Sequence, residues 1–493
     1  MSMEQERGIS ISATCMTFVY NKKVCNVIDT PGHSDFSEDT YRALSAADNA
    51  LMLIDGGKGI EGQTRKLFKV CRMRGLPIFT FVNKMDRPAT DPVEIIDDIE
   101  KEFGLETWPV TWPIGDGDRF RGLVDRVNGV VHLYTKAVKR GGGSTSSTLP
   151  VSDVAAVTAE INDKELSDKL FEDLELLEGI LSPLDPERVR KGEQSPMFFG
   201  SAINDFGVDL LLDHFTVQGS SPSPRPALLG ETAKTAQEIT VTAGREDFTA
   251  FVFKMQANLD LKHRDRLAYV RVVSGKYEKG MKVKHSRSKQ GKTYTLAAAQ
   301  ALFGQDRETV ESAYPGDVIG INNPGLFSIG DTLFTGPSKI TFPGIPSFSP
   351  EKFSYIRNPN PSSYKSFSKG LTQLLAEGAI QMLRPRNDDG SSTAILAAVG
   401  ELQFEVVTAR LKDEYGVAAE MEPLGYSLAR WANGGWPAID KADAGGKLFN
   451  TLILEDQWKR PVVLFRNDWK AADLERDEEE LELVPYALPP PVV

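Results

Sequence analysis

The chain has 493 residues, of which 41% are hydrophobic and 26% charged, enough material for two to four domains with cores of their own. Its 57 basic against 69 acidic side chains leave a net charge of −12, which excludes general nucleic-acid affinity and confines any RNA contact to a local patch. No apolar run approaches the roughly 18 residues of a bilayer span, and "MSMEQERGIS" lacks the charged-then-apolar pattern of a signal peptide. Cys15, Cys25 and Cys71 have no metal-ligand spacing and fit a reducing compartment.

In chain order, "TCMTFVY" and "VCNVIDT" flank Asn21, Lys22 and Lys23, which predicts a hairpin that sets an antiparallel strand at a sheet edge. Residues 24–28 (VCNVI), 50–54 (ALMLI), 77–82 (PIFTFV) and 197–200 (MFFG) are short and apolar on both faces, as strands of a covered parallel sheet must be. Between them "DPVEIIDDIEKEFG" predicts a helix with Asp91 as N-cap, Pro92 at its first position, and Ile95, Ile96, Ile99 and Phe103 on one face. This alternation predicts a doubly wound α/β nucleotide-binding domain over 1–220. The Gly/Ser/Thr stretch "KRGGGSTSSTLPVSD" reads as a linker, and the acidic run near 159–190 as part of an inserted helical arm over about 140–192.

A proline-rich hinge, "SSPSPRPALLG", ends that domain. Short alternating strands then predict a β-barrel domain over 228–342, with Phe251 and Phe253 as core. Mixed helices and strands predict an α+β C-terminal domain over 345–475, with "KGLTQLLAEGAIQML" helical, and 476–493 an acidic, proline-ending disordered tail.

In an open α/β sheet, ligands bind beyond the carboxyl ends of the strands. Three such ends carry polar groups: Asp29, Thr30, Pro31, Gly32 and His33 (DTPGH); Asn83, Lys84, Met85 and Asp86 (NKMD); and Ser201 with Ala202 (GSA). Each alone reads as an ordinary turn, but together they predict one guanine-nucleotide site. A carboxylate such as Asp86 can accept from the ring N–H and exocyclic amine of guanine, a pair adenine does not offer. Asn83 suits the purine acceptor edge and the tethering of neighbouring loops. Lys84 can lay its stem along the ring, and the Ser201–Ala202 backbone can meet the base carbonyl. Asp29 can hold Mg²⁺ through water, the Gly32 amide can approach a γ-phosphate, and His33 can position the attacking water.

"ERGISIS", "DTPGHSDFSEDTYRAL", "NKMDR" and "GSA" resemble the switch and base-recognition motifs of translational GTPases. Longer strings, among them "WPIGDGDRFRGLVDR", "FVFKMQANLDLKHRDRLAYVRVVSGKYEKGMKVKH" and "GELQFEVVTARLKDEYGV", resemble the release factor 3 family, from about Glu6 to past Phe465. The resemblance implies a cytoplasmic or organellar, Mg²⁺-dependent and monomeric GTPase. Such a factor hydrolyses GTP to GDP on the ribosome, contacts ribosomal RNA and proteins, promotes departure of codon-reading release factors, and binds neither membrane nor DNA. It also implies Ser10 as a second Mg²⁺ ligand.

One departure stands out. A phosphate loop of the form G-x-x-x-x-G-K-S/T should precede these motifs, and the nearest match, Gly57 to Thr64, has Gln63 in the lysine position and reads as an ordinary βα loop. Losing about four charge-assisted hydrogen bonds of roughly 1.5 kcal/mol each would weaken binding by more than ~10⁴-fold. The expectation is therefore a piece of a longer protein, binding GTP poorly by itself and exposing an apolar sheet flank. An elongation-factor-like GTPase and a non-catalytic ribosome-binding relic are the alternatives. Lys262, His263, Arg264, Arg266, Lys282, Lys284, His285, Arg287, Lys289 and Lys292 read equally as ribosomal RNA contacts or as a solvated barrel rim.

Overall fold

A computed structural model describes residues 4, 7–134, 146–230, 236–257, 266–288, 292–303, 306–323, 325–345, 347–388 and 393–486. Lys262, His263, Arg264, Lys289, most of the Gly-rich linker and residues 487–493 of the expected tail lie outside the described residues. The chain divides into two compact units, one of residues 18–25 and 47–221, the other of residues 1–17, 26–46 and 222–493.

The first unit is built on a parallel sheet in the order Ala50–Asp55, Ile78–Asn83, Gln194–Phe199, Glu106–Pro109. The two middle strands are buried almost throughout, so their continuous apolar runs are what a sheet covered on both faces requires. The expected helix forms as Pro92–Phe103, with Asp91 accepting from the Val93 amide and Ile95, Ile96 and Ile99 buried. Ala50–Asp55 is an edge strand, and its Leu51 and Leu53 are 46% and 58% exposed.

A second, antiparallel sheet runs Thr111–Ile114, Gly122–Asp125, Val130–Tyr134, Ser146–Pro150. It shares a core with the acidic segment. Val157 and Ile161 of helix Val154–Ile161, and Leu166, Leu170 and Leu177 of helix Lys164–Ile180, pack with Trp112, Leu123, Val124 and Val131. The expected arm is therefore a docked layer whose charges lie on its outer side, because its apolar stripe finds a partner in this sheet.

The second unit holds the barrel. Its main sheet includes Lys282–His285, Thr332–Phe334, Thr249–Ala257, Arg266–Ser274, Val318–Asn322 and Ala299–Phe303, in that order, followed by residues 14–17 and 26–29 of the hairpin strands Thr14–Tyr20 and Lys23–Asp29. The strand ending in Asp29 was expected in the parallel sheet and is instead here. Its exposure pattern is not that of a covered strand, and its polar Asn26 finds partners in this unit. Asn26 accepts from Thr17 Oγ at 2.8 Å and donates to Asp317 at 3.2 Å.

Helix Ser37–Ala46 belongs to the same unit. Ala46 packs with Phe251, Phe253 and Tyr269, while Arg225 and Arg271 donate to the carbonyls of Ser45 and Ala46. These cations occupy the negative end of the helix, where the last carbonyls lack intrahelical partners.

Beyond the barrel an eight-stranded antiparallel sheet runs Glu420–Pro423, Lys352–Arg357, Ile395–Ala398, Gln381–Arg384, Leu452–Asp456, Pro461–Phe465, Leu428–Ala432, Leu483–Val484. Helices Tyr364–Ala376 and Glu401–Tyr415 cover one core cluster through Leu371, Leu374, Val407 and Leu411. Two expectations change here. The "GAIQML" half of the expected helix is a turn and a strand, and residues 478–484 are ordered, since Val484 pairs with Trp431 and Leu481 is buried. No helix among the described residues is long and apolar enough to cross a membrane.

Candidate functional site

In the first unit, strand Ile78–Asn83 and strand Gln194–Phe199 run side by side and deliver their terminal loops together. The Met85 amide donates to the Gly200 carbonyl at 3.0 Å, and the Gly200 amide to Val82 at 3.0 Å. A Cβ at Gly200 would lie 2.2 Å from the Phe206 carbonyl and 2.8 Å from the Phe81 ring, so only glycine lets the loops meet this closely.

Across that seam the side chains interlock. Asn83 Oδ1 accepts from the Lys84 amide at 2.8 Å and from the Ala202 amide at 2.9 Å. Ser201 Oγ donates to Asp86 Oδ1 at 2.6 Å and accepts from Asn204 at 3.1 Å. Neither Asn83 Nδ2 nor Asp86 Oδ2 makes a hydrogen bond among the described residues. A donor pair and an acceptor are thus fixed in direction yet unspent.

Lys84 has a left-handed backbone, φ 70°, and its ammonium pairs with Asp55 Oδ2 at 2.6 Å. A positive φ at a non-glycine residue is strained and persists where its surroundings fix it. Asp55 is a site member that the motifs did not reveal. Burial opposes its charge, but Lys84 and the amides of Gly57 and Lys58 outweigh it and hold the carboxyl below its ordinary range. Its signal was an acid closing an apolar strand, the same position that singled out Asp29. Residues 57–64 form the turn that Asp55 staples and the start of helix Gly62–Met73, as expected of a βα loop. Met85 is 1% exposed and its side chain is spent on the core.

The DTPGH segment lies in the second unit. Asp29 ends its strand exposed, and Gly32 has open space where a Cβ would project. The Pro31 carbonyl accepts from Thr40 Oγ at 2.9 Å, which ties the loop to helix Ser37–Ala46. His33 caps the short helical turn Ser34–Phe36, its Nδ1 accepting from the Asp35 amide at 3.2 Å. An Nδ1 that accepts from this amide leaves the proton of a neutral ring on Nε2, and Asp35 Oδ1 also lies 3.4 Å from Nδ1. Ser10 is exposed and makes no hydrogen bond among the described residues.

The candidates thus fall into two groups, Asn83, Lys84, Met85, Asp86, Ser201 and Ala202 in one unit and Ser10, Asp29, Thr30, Pro31, Gly32 and His33 in the other. Among the basic residues of the barrel, His285 is buried and Arg287 is mostly so. His285 is 2.6 Å from buried Asp331, and Arg287 bonds the same carboxylate.

Three family models match the chain: "Elongation factor Tu GTP binding domain" over residues 1–219, "Elongation factor G domain 2" over 247–336, and "Class II release factor RF3, C-terminal domain" over 342–475. A protein of Microcystis aeruginosa named "Peptide chain release factor 3" is 53% identical over 484 residues, 98% of this chain and 86% of that protein. The chain belongs to the peptide chain release factor 3 family. Release factors of the same name from Synechococcus elongatus and Synechocystis sp. are each 50% identical, over 98% and 99% of the chain and 84% and 86% of their own lengths. A crystal structure of a Thermus thermophilus protein superposes with a TM-score of 0.66 at 22% identity, over 88% of this chain and 64% of that one, and bears on the fold alone.

Membership in the release factor 3 family makes the chain a translation-termination GTPase that works on the ribosome and binds guanine nucleotide. Its architecture is the one expected from sequence, a GTP-binding α/β domain, a β-barrel domain and an α+β C-terminal domain.

Proposed function

We propose that the chain recognises guanosine nucleotides through Asn83, Asp86, Ser201 and Ala202, and uses His33 to position water for hydrolysis of GTP. On this reading it promotes departure of codon-reading release factors from the ribosome, acting as a cytoplasmic monomer. The observation that carries the reading is Asn83 Oδ1 bridging two amides while Asp86 is steered by Ser201. The free carboxylate oxygen accepts from the guanine ring N–H and amine, the Asn83 amide donates to the purine acceptor edge, and the Lys84 stem covers the ring. His33, with Nδ1 occupied, directs an Nε2–H at the water oxygen. Thr30, Pro31 and Gly32 supply backbone beside the γ-phosphate.

No group of three or more His, Cys, Asp or Glu that could hold a metal occurs among the described residues, so an all-protein cage does not fit. Mg²⁺ does fit as a phosphate-bound ion that keeps most of its water. It would be held by the exposed Asp29 carboxylate and the Ser10 hydroxyl, and would neutralise phosphate charge. The test is equilibrium titration with fluorescent guanosine and adenosine diphosphates. Guanine preference of about 10²-fold or more supports the reading, and equal affinity for the two bases ends it.

A further inference from the structure

The DTPGH segment is fastened to the C-terminal part of its own unit through one aspartate. Helix Glu401–Tyr415 begins at Gly400, which has no side chain with which to cap it. Gln403 Oε1 accepts from the amides of Val399 and Gly400, which completes only the reciprocal half of a cap. The missing half comes from far away in sequence. Asp35 Oδ2 accepts from the Leu402 amide at 2.9 Å, and a Cβ at Gly400 would lie 2.0 Å from the Asp35 carboxyl carbon. Glycine at 400 is therefore the opening through which Asp35 reaches the helix end.

The same Asp35 donates its backbone amide to His33 Nδ1. Phe36 packs with Ile11, Val406, Ile9 and Leu402, and Arg7 pairs with Glu405, so the segment bearing Ser10 rests on the same helix. Arg42, on the helix after DTPGH, donates to the Gly378 carbonyl at 3.1 Å, a second fastening to the same part of the fold.

We propose that Asp35 is a positioning residue that couples the orientation of the His33 imidazole to helix Glu401–Tyr415, so that movement of this helix sets whether His33 can hold water for hydrolysis. The proposal rests on the reading of His33 as the water-positioning group. It assigns the release-factor C-terminal segment a direct hold on the hydrolytic loop, by a carboxylate that caps one element and an amide that fixes the tautomer in the other.

The test uses the full chain with ¹⁵N-labelled histidine and two variants, Gly400→Ala, whose methyl evicts the carboxylate, and Asp35→Ala. In both, hydrogen exchange of the Leu402 amide is expected to rise about tenfold and His33 to pass from one tautomer to a mixture. Ribosome-stimulated GTP hydrolysis is expected to lose about tenfold in kcat, with KM within about twofold. Asp35→Asn, which keeps an acceptor, restores all three, and the double variant behaves as Asp35→Ala alone. An unchanged His33 tautomer in both single variants, or additive effects in the double, overturns the proposal. Should the unmodified chain hydrolyse no GTP, the functional reading fails, while exchange and tautomer still decide the coupling.

Discussion

Asn83 Oδ1 and the Ala202 amide, 2.9 Å apart, join two loops that follow neighbouring parallel strands. The bond makes the cluster of Asn83, Asp86, Ser201 and Ala202 a single object. Asn83→Ala removes the acceptor of two amides, at a cost of about 1–2 kcal/mol in stability, and frees the loop bearing Ser201. GDP affinity is expected to fall about 10²-fold, read by titration, and Asn83→Asp, which keeps the acceptor, should recover the stability but not the affinity. Unchanged GDP affinity in Asn83→Ala contradicts the assignment.

Asp86→Asn tests the base directly. The Ser201 hydroxyl can still donate to the amide oxygen, so the loop is retained, but the free oxygen becomes an NH₂ donor. Guanine then faces donor against donor, whereas xanthine presents a carbonyl at the same position. Competition titrations should show GDP weakened by about 10³-fold and xanthosine diphosphate gaining.

Local signals explain why some of this was legible. Asp91-Pro92 starts its helix as read, and Asn21 and Lys22, at φ 46° and 61°, make the hairpin turn read from the flanking strands. Asn83, Asp86, Ser201 and Ala202 stand out in the sequence because each lies at or just past the end of an apolar strand. The sheet of residues 111–150 is poorly legible although Asn128-Gly129 is a strong hairpin signal, because the Gly/Ser/Thr composition of the stretch that follows is that of a linker. What could not be read is long-range. Nothing near Asp55 names Lys84 as its partner, nothing near Gly400 names Asp35, and the side of the fold that the Asp29 strand joins depends on Asp317.

The pair of Asp125 and His214 should govern acid stability of the first unit. His214 Nε2 is 2.9 Å from Asp125 Oδ2, and both side chains are buried. Burial pushes the Asp125 carboxyl up, but hydrogen bonds from His214 and Asn128 outweigh it and hold the group below its ordinary value. A depressed carboxylate stabilises the fold above its unfolded pKa of about 3.9, and that contribution is lost as pH falls through the lower folded value. Urea midpoints between about pH 2 and 6 should fall less steeply for Asp125→Asn than for the unmodified chain.

The exposed Leu51 and Leu53 on an edge strand offer an apolar, unpaired flank to other copies. Leu53→Lys is expected to lower concentration-dependent light scattering while shifting stability by less than about 0.5 kcal/mol, since the side chain already faces water. Equal scattering from both proteins removes this edge as the cause.

Arg42 and Glu38 form a buried pair on the helix that follows DTPGH, each side chain 7% exposed. Burial holds the Glu38 carboxyl above its ordinary range even though Arg42 and Ser347 favour its charged form. The pair therefore stands close to the limit at which desolvation cancels attraction. Removing one partner differs from removing both. Arg42→Ala strands a carboxylate and frees the Gly378 carbonyl that Arg42 also satisfies, which should cost about 3–5 kcal/mol in denaturant unfolding. Glu38→Leu with Arg42→Met replaces the charges by apolar volume and should return to within about 1–2 kcal/mol of the unmodified chain, the remainder being the unpaired carbonyl. If the double variant is no more stable than Arg42→Ala, the cost lies in lost packing and not in the stranded charge.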